Sequence, residues 1–201
     1  MKIAFFDFDG TITKKDSTIG FIRFFVGDLK FIFGIIILLP LLILYKVNIL
    51  SNNYIKIIIV TFFFKGTKKL DFERKASIYS RQILHKLIRK KALDKLNWHK
   101  KRGHTIVIVS ASINAWLQDW CDSNNFSLIA TELEIVNERI TGRLLPNNCY
   151  GPEKVIRILK KYNLSDYDYI YAYGNSIQHF TSGAFGAATN NESNLTRQIT
   201  G

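Results

Sequence analysis

The start of the chain constrains its fold most, because two acids directly follow an apolar run. The run begins at Ile3 and leads into Asp7 and Asp9, and then at once into Gly10 and Thr11. It predicts a buried strand of a parallel sheet, and ligands bind at the carboxyl edge of such sheets. Alternate residues of a strand share a face, so both carboxylates can enter one site. Like charges this close need a cation, and oxygen ligands favour Mg²⁺.

Strand and helix patterns alternate along much of the remaining chain. Short apolar runs predict buried strands at residues 105–109, 128–130 and 169–173, and a hairpin over 133–136 and 139–144. Helical patterns lie between them, including one from Ile113 to Cys121 with Ser112 as its cap and another opening at Gly151. This alternation predicts an α/β fold, with a three-layer, Rossmann-like parallel sheet covered by helices on both faces.

Residues 16–90 interrupt the alternation, because their pattern is helical throughout. We therefore predict an α/β core domain over residues 1–15 and 91–180, with an α-helical cap over 16–90 inserted after the first strand. The stretch 181–201 is rich in small and polar residues and has no strong period. It predicts a divergent, poorly ordered tail.

The composition limits the classes of binding partner and the cellular compartment that we expect for this chain. The formal net charge of +12 favours anionic partners, which include nucleic acid, anionic lipid and phosphorylated metabolites. The basic residues are dispersed and no recognition motif accompanies them, so we expect no nucleic-acid partner. Two cysteines and the lack of a secretion signal predict a reducing, cytoplasmic location. No histidine pair has metal-binding spacing, and all four are expected at the surface or as caps: His85, His99, His104 and His179.

Two apolar segments leave three interpretations open. Residues 31–45 carry no charge and lie between Lys30 and Lys46, and residues 57–64 are also strongly apolar. The first interpretation is a pair of helices buried within the cap. The second is a hairpin that dips into a membrane surface with help from the basic charge, giving peripheral membrane contact through the cap. The third is a true span, although the first segment is shorter than the ~20 residues that a spanning helix needs.

Four short motifs together resemble those of the haloacid dehalogenase superfamily of phosphohydrolases. They are DFDGT at 7–11, IVSAS at 108–112, GPEK at 151–154 and YGNS at 173–176, in the order and at the spacing of that family. The insertion directly after the first motif is similar to the helical cap of the phosphoserine phosphatase-like branch. The resemblance covers residues 1 to about 180.

The resemblance implies a mechanism. Asp7 would attack phosphorus and form an aspartyl-phosphate, while Asp9 would protonate the leaving oxygen and later accept a proton from water. Mg²⁺ would bridge Asp7, the phosphate and the main-chain carbonyl of Asp9. Lys154 would neutralise charge in the transition state.

Further residues are implied as ligands of the substrate or the metal. Thr11, Ser110 and Ala111 would hold phosphate oxygens. Asp16 lies seven residues after Asp9, where phosphoserine phosphatases carry a carboxylate that meets the substrate amine. Asn175 would be a metal ligand.

The fourth motif departs from the family, because Asn175 and His179 stand where most members carry acids. An asparagine carbonyl can ligate Mg²⁺ but adds no charge, so the affinity for metal should fall. The functional hypothesis is a Mg²⁺-dependent phosphomonoester hydrolase that acts on a small substrate such as phosphoserine. A phospholipid-headgroup phosphatase at the membrane surface and a catalytically degenerate phosphate-binding relative remain as alternatives.

Overall fold

The N-terminal apolar run forms strand β1 (Lys2–Asp7) in the interior of a six-stranded sheet. The computed structural model describes residues 1–174 and the backbone of residues 195–198. From edge to edge the strand order is β4-β3-β2-β1-β5-β6, and all neighbours are parallel except β3 and β4. The remaining strands are β2 (Thr105–Ile113), β3 (Ser127–Val136), β4 (Arg139–Leu145), β5 (Tyr169–Tyr173) and β6 (Leu195–Gln198).

Helices cover both faces of the sheet, as the sequence predicts for an α/β fold. Side chains of β1 alternate between two cores: Ala4 and Phe6 belong to one, and Ile3 and Phe5 to the other. Both faces of β1 are therefore buried, as in a central parallel strand. The helices are α1 (Ser17–Val26), α2 (Asp28–Lys46), α3 (Asn52–Phe64), α4 (Lys69–Tyr79), α5 (His85–Leu87), α6 (Lys90–Lys101), α7 (Gln118–Asn124) and α8 (Pro152–Lys161).

Helices α1 to α5 form an insertion whose two ends meet. The Lys14 amide donates to the Leu87 carbonyl, and the Arg89 amide donates to the Ile12 carbonyl, both at 2.8 Å. A wide turn, Ser80–Leu84, links α4 to α5. The chain thus leaves the sheet after β1 and returns to it at almost the same point. This helical insertion lies where the sequence pattern is helical.

The segment after β2 corrects two predictions. The predicted helix from Ile113 to Cys121 begins only at Gln118, because β2 continues to Ile113 and a short 3₁₀ turn follows it. Ser112 is therefore a strand residue and not a helix cap. Its hydroxyl bonds to polar groups across the chain, which local helical periodicity cannot reveal.

The predicted third strand and the first strand of the hairpin form one long strand, β3. The chain turns back into β4 at Asn137 and Glu138, whose φ angles are +49° and +57°. Positive φ at both central residues suits a two-residue hairpin turn, because its twist matches that of the strands. The apolar patches on either side of residues 131–132 therefore belong to a single element.

Four residues of the predicted tail form a strand at the edge of the sheet. Residues 195–198 form β6, which pairs in parallel with the outer edge of β5. Backbone amides and carbonyls at an open sheet edge accept a further strand whatever its side-chain pattern. The other residues of 181–201 lie outside the described residues.

The buried interpretation of the apolar segments is wrong for α2. This helix is 19 residues long with a mean hydropathy of 2.2, yet only 11% of its most apolar window is buried. Within the described residues, it alone is long and apolar enough to span a membrane by length and composition. Helix α3, in contrast, buries Ile55, Val60 and Phe64. A spacing of 3.6 residues between apolar positions cannot distinguish a helix of the core from a helix whose apolar face is exposed.

One histidine is buried beside the sheet, against the expectation that all four lie at the surface or cap helices. His99 of α6 is fully buried. Its Nδ1 lies 2.8 Å from Nδ1 of His104, and its Nε2 lies 3.0 Å from the hydroxyl of Tyr173. Burial, followed by the charges of His104, Lys95 and Arg102, lowers the pKa of His99 to about 4. The imidazole is therefore neutral in the folded protein at neutral pH.

This burial makes stability depend on pH. An unfolded His99 binds a proton near pH 6.5, whereas the folded protein binds it only near pH 4. The free energy of unfolding should therefore be highest above pH 6.5 and decline between these values, by at most about 1.4 kcal/mol per pH unit from this group. Urea denaturation from pH 4.5 to 8 measures the effect. His99→Gln, which cannot titrate, should flatten this part of the profile, and an unchanged slope would contradict the assignment.

Candidate active site

A buried ion pair joins the end of β1 to the start of α8. The Nζ of Lys154 donates to Oδ1 of Asp7 at 2.6 Å, and the side chains are only 2% and 14% exposed. The Phe8 amide donates to the same oxygen at 2.9 Å, and the Thr11 hydroxyl donates to Oδ2 at 3.4 Å. Removing two charges from water costs several kcal/mol per ion, and the attraction between them largely offsets this cost. The pair therefore contributes little net stability. Its place at the carboxyl edge of the sheet indicates a functional role.

The second acid is held by the helical insertion as well as by the sheet. Oδ1 of Asp9 accepts from the Ser17 amide of α1, and Oδ2 accepts from the Ser112 hydroxyl of β2, both at 2.6 Å. Burial raises the pKa of Asp9, and the charge of Asp16 raises it further, while the bonds from Ser112 and Ser17 oppose the rise. Asp9 therefore keeps a proton to higher pH than an ordinary aspartate.

The turn after β1 brings both acids to one cavity. Gly10 has φ +75°, a conformation that costs glycine little, and its amide donates to the Thr13 hydroxyl at 3.3 Å. The turn closes when the Thr13 amide donates to the Phe8 carbonyl at 3.1 Å. Gly10 and Thr13 thus shape the turn that follows the two acids.

The end of β2 supplies the polar floor of the cavity. Ser110 is almost fully buried, and its hydroxyl accepts from the Ser112 amide at 3.0 Å. The pairing register with β3 shifts between Ser110 and Ile113, which breaks the regular strand at this point. Ser110 and Ala111 line the same cavity as Asp7 and Lys154. The structure thus brings together residues from the ends of β1 and β2 and from the start of α8, which belong to the first three motifs.

The cavity, of about 460 Å³, lies between the sheet edge and the helical insertion. One end is polar, and the other is formed largely by apolar side chains of α2 and α3. The apolar part is lined by Ile22, Phe31, Ile35, Leu38, Leu42, Ile55, Ile59 and Phe63. The space is large enough for an organic group in addition to a phosphate.

A polar chain that the sequence interpretation missed connects the insertion to Asp9. The Nζ of Lys56 on α3 donates to the Thr18 hydroxyl at 3.2 Å, and that hydroxyl lies 2.9 Å from the Ser112 hydroxyl. Burial lowers the pKa of Lys56, while the charges of Asp16 and Asp9 act in the opposite direction. These residues come from distant parts of the chain and form no motif, so no local signal could have grouped them.

The other predicted site residues differ in their placement. Asp16 lines the cavity, but its side chain caps α1 by accepting from the Ile19 amide at 3.0 Å. Asn175, the predicted metal ligand, lies outside the described residues, as does His179. Asn148, which the sequence interpretation did not select, lines the cavity and binds α3, since its side-chain amide donates to Oδ1 of Asn52 at 2.5 Å.

The donor set fits a hard divalent cation that keeps some water or substrate ligands. The polar end of the cavity offers carboxylate and carbonyl oxygens, and the two buried free cysteines do not line it. Both carboxylate oxygens of Asp9 accept hydrogen bonds from the protein. Within the described residues, no group of three or more His, Cys, Asp or Glu side chains could hold a metal. Mg²⁺ commonly binds through one or two carboxylates together with substrate phosphate and water.

Comparison with known proteins identifies the family. The family model described as haloacid dehalogenase-like hydrolase matches residues 4–178. The chain belongs to this family. Its membership confirms the family predicted from the four motifs.

The chain is also similar to one protein in sequence and to two solved structures in fold. Protein CicA from Caulobacter vibrioides (strain NA1000 / CB15N) is 32% identical over 173 residues, which covers 85% of this chain and 77% of CicA. A protein with unknown function from Bordetella pertussis Tohama I has a TM-score of 0.76 at 20% identity, covering 88% of this chain and 83% of that one. A phospho-aspartyl intermediate analogue of phosphoserine phosphatase has a TM-score of 0.60 at 14% identity, covering 88% and 79%. At these identities the two structures show a shared fold.

Proposed function

We propose that this hydrolase cleaves phosphomonoesters through an aspartyl-phosphate on Asp7. The observation that carries the proposal is the buried Lys154–Asp7 ion pair at 2.6 Å, in a cavity that also holds a carboxyl with a raised pKa. An acid whose pKa is raised, beside a second carboxylate paired with a lysine, is the arrangement that separates a general acid from a nucleophile. Residues 16–90 act as a cap over this site, and the compartment is cytoplasmic.

In the first step, a carboxylate oxygen of Asp7 attacks phosphorus and the bond from phosphorus to the leaving oxygen breaks. Asp9 gives its proton to that leaving oxygen, which departs as an alcohol. In the second step, water attacks phosphorus, Asp9 takes the proton from this water, and Asp7 is released as a carboxylate. Both steps are balanced, and together they consume one water.

Four residues would bind the phosphoryl group. Lys154 would shift from Asp7 towards the charge that develops on the phosphoryl oxygens. The Ser110 hydroxyl, the Ala111 amide and the Thr11 hydroxyl would donate to the same oxygens. Their positions support these roles, because Thr11 and Lys154 contact Asp7, and Ser110 and Ala111 line the cavity beside it.

Mg²⁺ is the cofactor that this donor set favours. The Asp7 carboxylate, the Asp9 main-chain carbonyl and Asn175 would hold it. When bound, it would offset the repulsion between an anionic nucleophile and an anionic substrate.

The substrate proposed first is a small phosphomonoester such as phosphoserine, with Asp16 close enough to the cavity to meet an amine. A specific observation favours a second candidate, the phosphorylated headgroup of a lipid. The cavity wall formed by Phe31, Ile35, Leu38 and Leu42 is apolar, and a polar metabolite gains nothing from it. A degenerate phosphate-binding protein is the third candidate, and it rests on the departures at Asn175 and His179.

Hydrolysis of p-nitrophenyl phosphate tests the reaction. The native protein should hydrolyse it with Mg²⁺ and lose the activity in EDTA. Asp7→Asn should reduce kcat by a factor of about a thousand or more, because the nucleophile is gone. Asp122→Asn, on the exposed part of α7, is the matched control and should leave kcat unchanged.

Asn175→Asp separates the enzyme from the degenerate candidate. Restored charge should lower the Mg²⁺ concentration needed for half-maximal activity in a working enzyme. Activity that appears only in Asn175→Asp would support the degenerate candidate. Equal metal-independent turnover by the native protein and Asp7→Asn would contradict the proposed reaction.

Asp16→Asn tests how the helical insertion raises the pKa of Asp9. Asparagine still caps α1, but the negative charge that helps to raise the pKa of Asp9 is lost. Phenyl phosphate needs a protonated Asp9 at its leaving oxygen, so its kcat/KM falls as pH rises through this pKa. In Asp16→Asn this fall should move to lower pH, whereas the control Asp71→Asn should not move it. A rise in KM for phosphoserine but not for phenyl phosphate would indicate that Asp16 also contacts the substrate amine. A pH profile that does not move in Asp16→Asn would contradict the effect of the Asp16 charge on the pKa of Asp9.

A further inference from the structure

The outer face of α2 is an apolar surface that no described residue covers. It consists of Leu29, Ile32, Phe33, Ile36, Ile37, Leu39, Ile43 and Leu44, each exposed by more than a third of its surface. We call this set the outer α2 face. Monomeric proteins rarely expose so many contiguous large apolar side chains, and such patches mark interaction sites.

The same helix turns a second apolar face inward. Phe31, Ile35, Leu38 and Leu42 line the cavity that contains the site acids. These positions recur every three or four residues, as one side of a helix does, and the outer α2 face occupies the other sides. One face of α2 therefore packs towards the cavity, while the opposite face is exposed and available to a partner.

The charges around α2 indicate the chemistry of that partner. Residues 29–70 contain six lysines and no acid. Asp28, at the first turn of α2, is paired with Arg23 at 2.5 Å. Lys30 and Lys46 are exposed at the two ends of the helix. An apolar surface with basic ends is complementary to the interface of an anionic bilayer, where apolar side chains enter the acyl region and lysines meet headgroups.

We propose that the outer α2 face docks on an anionic phospholipid membrane, with α2 lying in the plane of the interface. The helix does not need to leave its seat, because the inner face keeps its contacts with the cavity. Docking brings the apolar wall of the cavity next to the bilayer. This inference rests on the exposed surface and its charge, and it stands or falls independently of the phosphatase reaction.

Co-sedimentation with vesicles tests the docking. The probes are vesicles of phosphatidylcholine alone and of phosphatidylcholine with phosphatidylglycerol, which carries no phosphomonoester and is therefore no substrate. The native protein and Asp7→Asn should both bind the anionic vesicles at low salt. Binding should be weaker at high salt and on phosphatidylcholine alone, because screening and neutral headgroups remove the attraction to lysine.

A pair of charge-matched double variants locates the surface. Phe33 and Ile36 are 64% and 63% exposed, so Phe33→Glu/Ile36→Glu removes two apolar contacts from the outer α2 face without touching the core. It should weaken vesicle partitioning by about tenfold or more. Ile156→Glu/Leu159→Glu adds the same two charges to exposed positions on α8, which packs with the other core, and should retain binding.

The outcomes separate the possible partners. Failure of both the native protein and Asp7→Asn to bind anionic vesicles at low salt would overturn the proposal, as would unchanged binding by Phe33→Glu/Ile36→Glu. A dimer in sedimentation velocity that this variant dissociates, without vesicle binding, would assign the face to a second copy of the chain instead. Vesicle binding by a protein that hydrolyses no p-nitrophenyl phosphate would leave the docking standing and remove only the proposed reaction.

Discussion

The contact between Lys154 and Asp7 is the interaction on which the site depends. It joins the first strand to a helix that begins almost 150 residues later, and both side chains are largely buried. Such a pair gains little for folding, because the cost of removing two charges from water offsets their attraction. What it provides is a buried cation held beside the Asp7 carboxylate, within reach of the phosphoryl group that the proposed reaction would place there.

The helical insertion completes the site as well as covering it. The Ser17 amide of α1 and the Ser112 hydroxyl of β2 bind the two oxygens of Asp9, and the Thr18 hydroxyl links Ser112 to Lys56. Asp16, which caps α1, raises the pKa of Asp9. The environment of the proposed general acid is therefore set by the core and the insertion together. A movement of the insertion would alter the protonation of Asp9 along with access to the cavity.

The central sheet and the strand-end residues could be predicted because local patterns encode them. The apolar run into Asp7 and Asp9, the run into Ser110 and the first turn around Lys154 each combine a buried element with a polar residue at its end. Parallel packing then brings these ends together. The family resemblance, which the family match confirms, also predicts that these residues share one site.

Other features could not be predicted, for physical reasons. Ser112, Thr18 and Lys56 meet only through tertiary packing, so no spacing in the sequence links them. The exposure of α2 depends on what packs against it, and composition alone is equally compatible with burial. Strand β6 forms because the edge of β5 offers unpaired backbone groups, which side-chain periodicity does not record. His99 is buried by its neighbours on the sheet, although its own segment is strongly basic.

Trapping of the phosphorylated enzyme tests the central claim most directly. The protein would be mixed with Mg²⁺ and phenyl phosphate, quenched in acid within milliseconds to seconds, digested and mapped by mass spectrometry. The account predicts a hydroxylamine-labile acyl phosphate on the peptide that contains Asp7, formed before phosphate is released. Turnover without any phosphorylated peptide, or with the phosphoryl group on another residue, would contradict it.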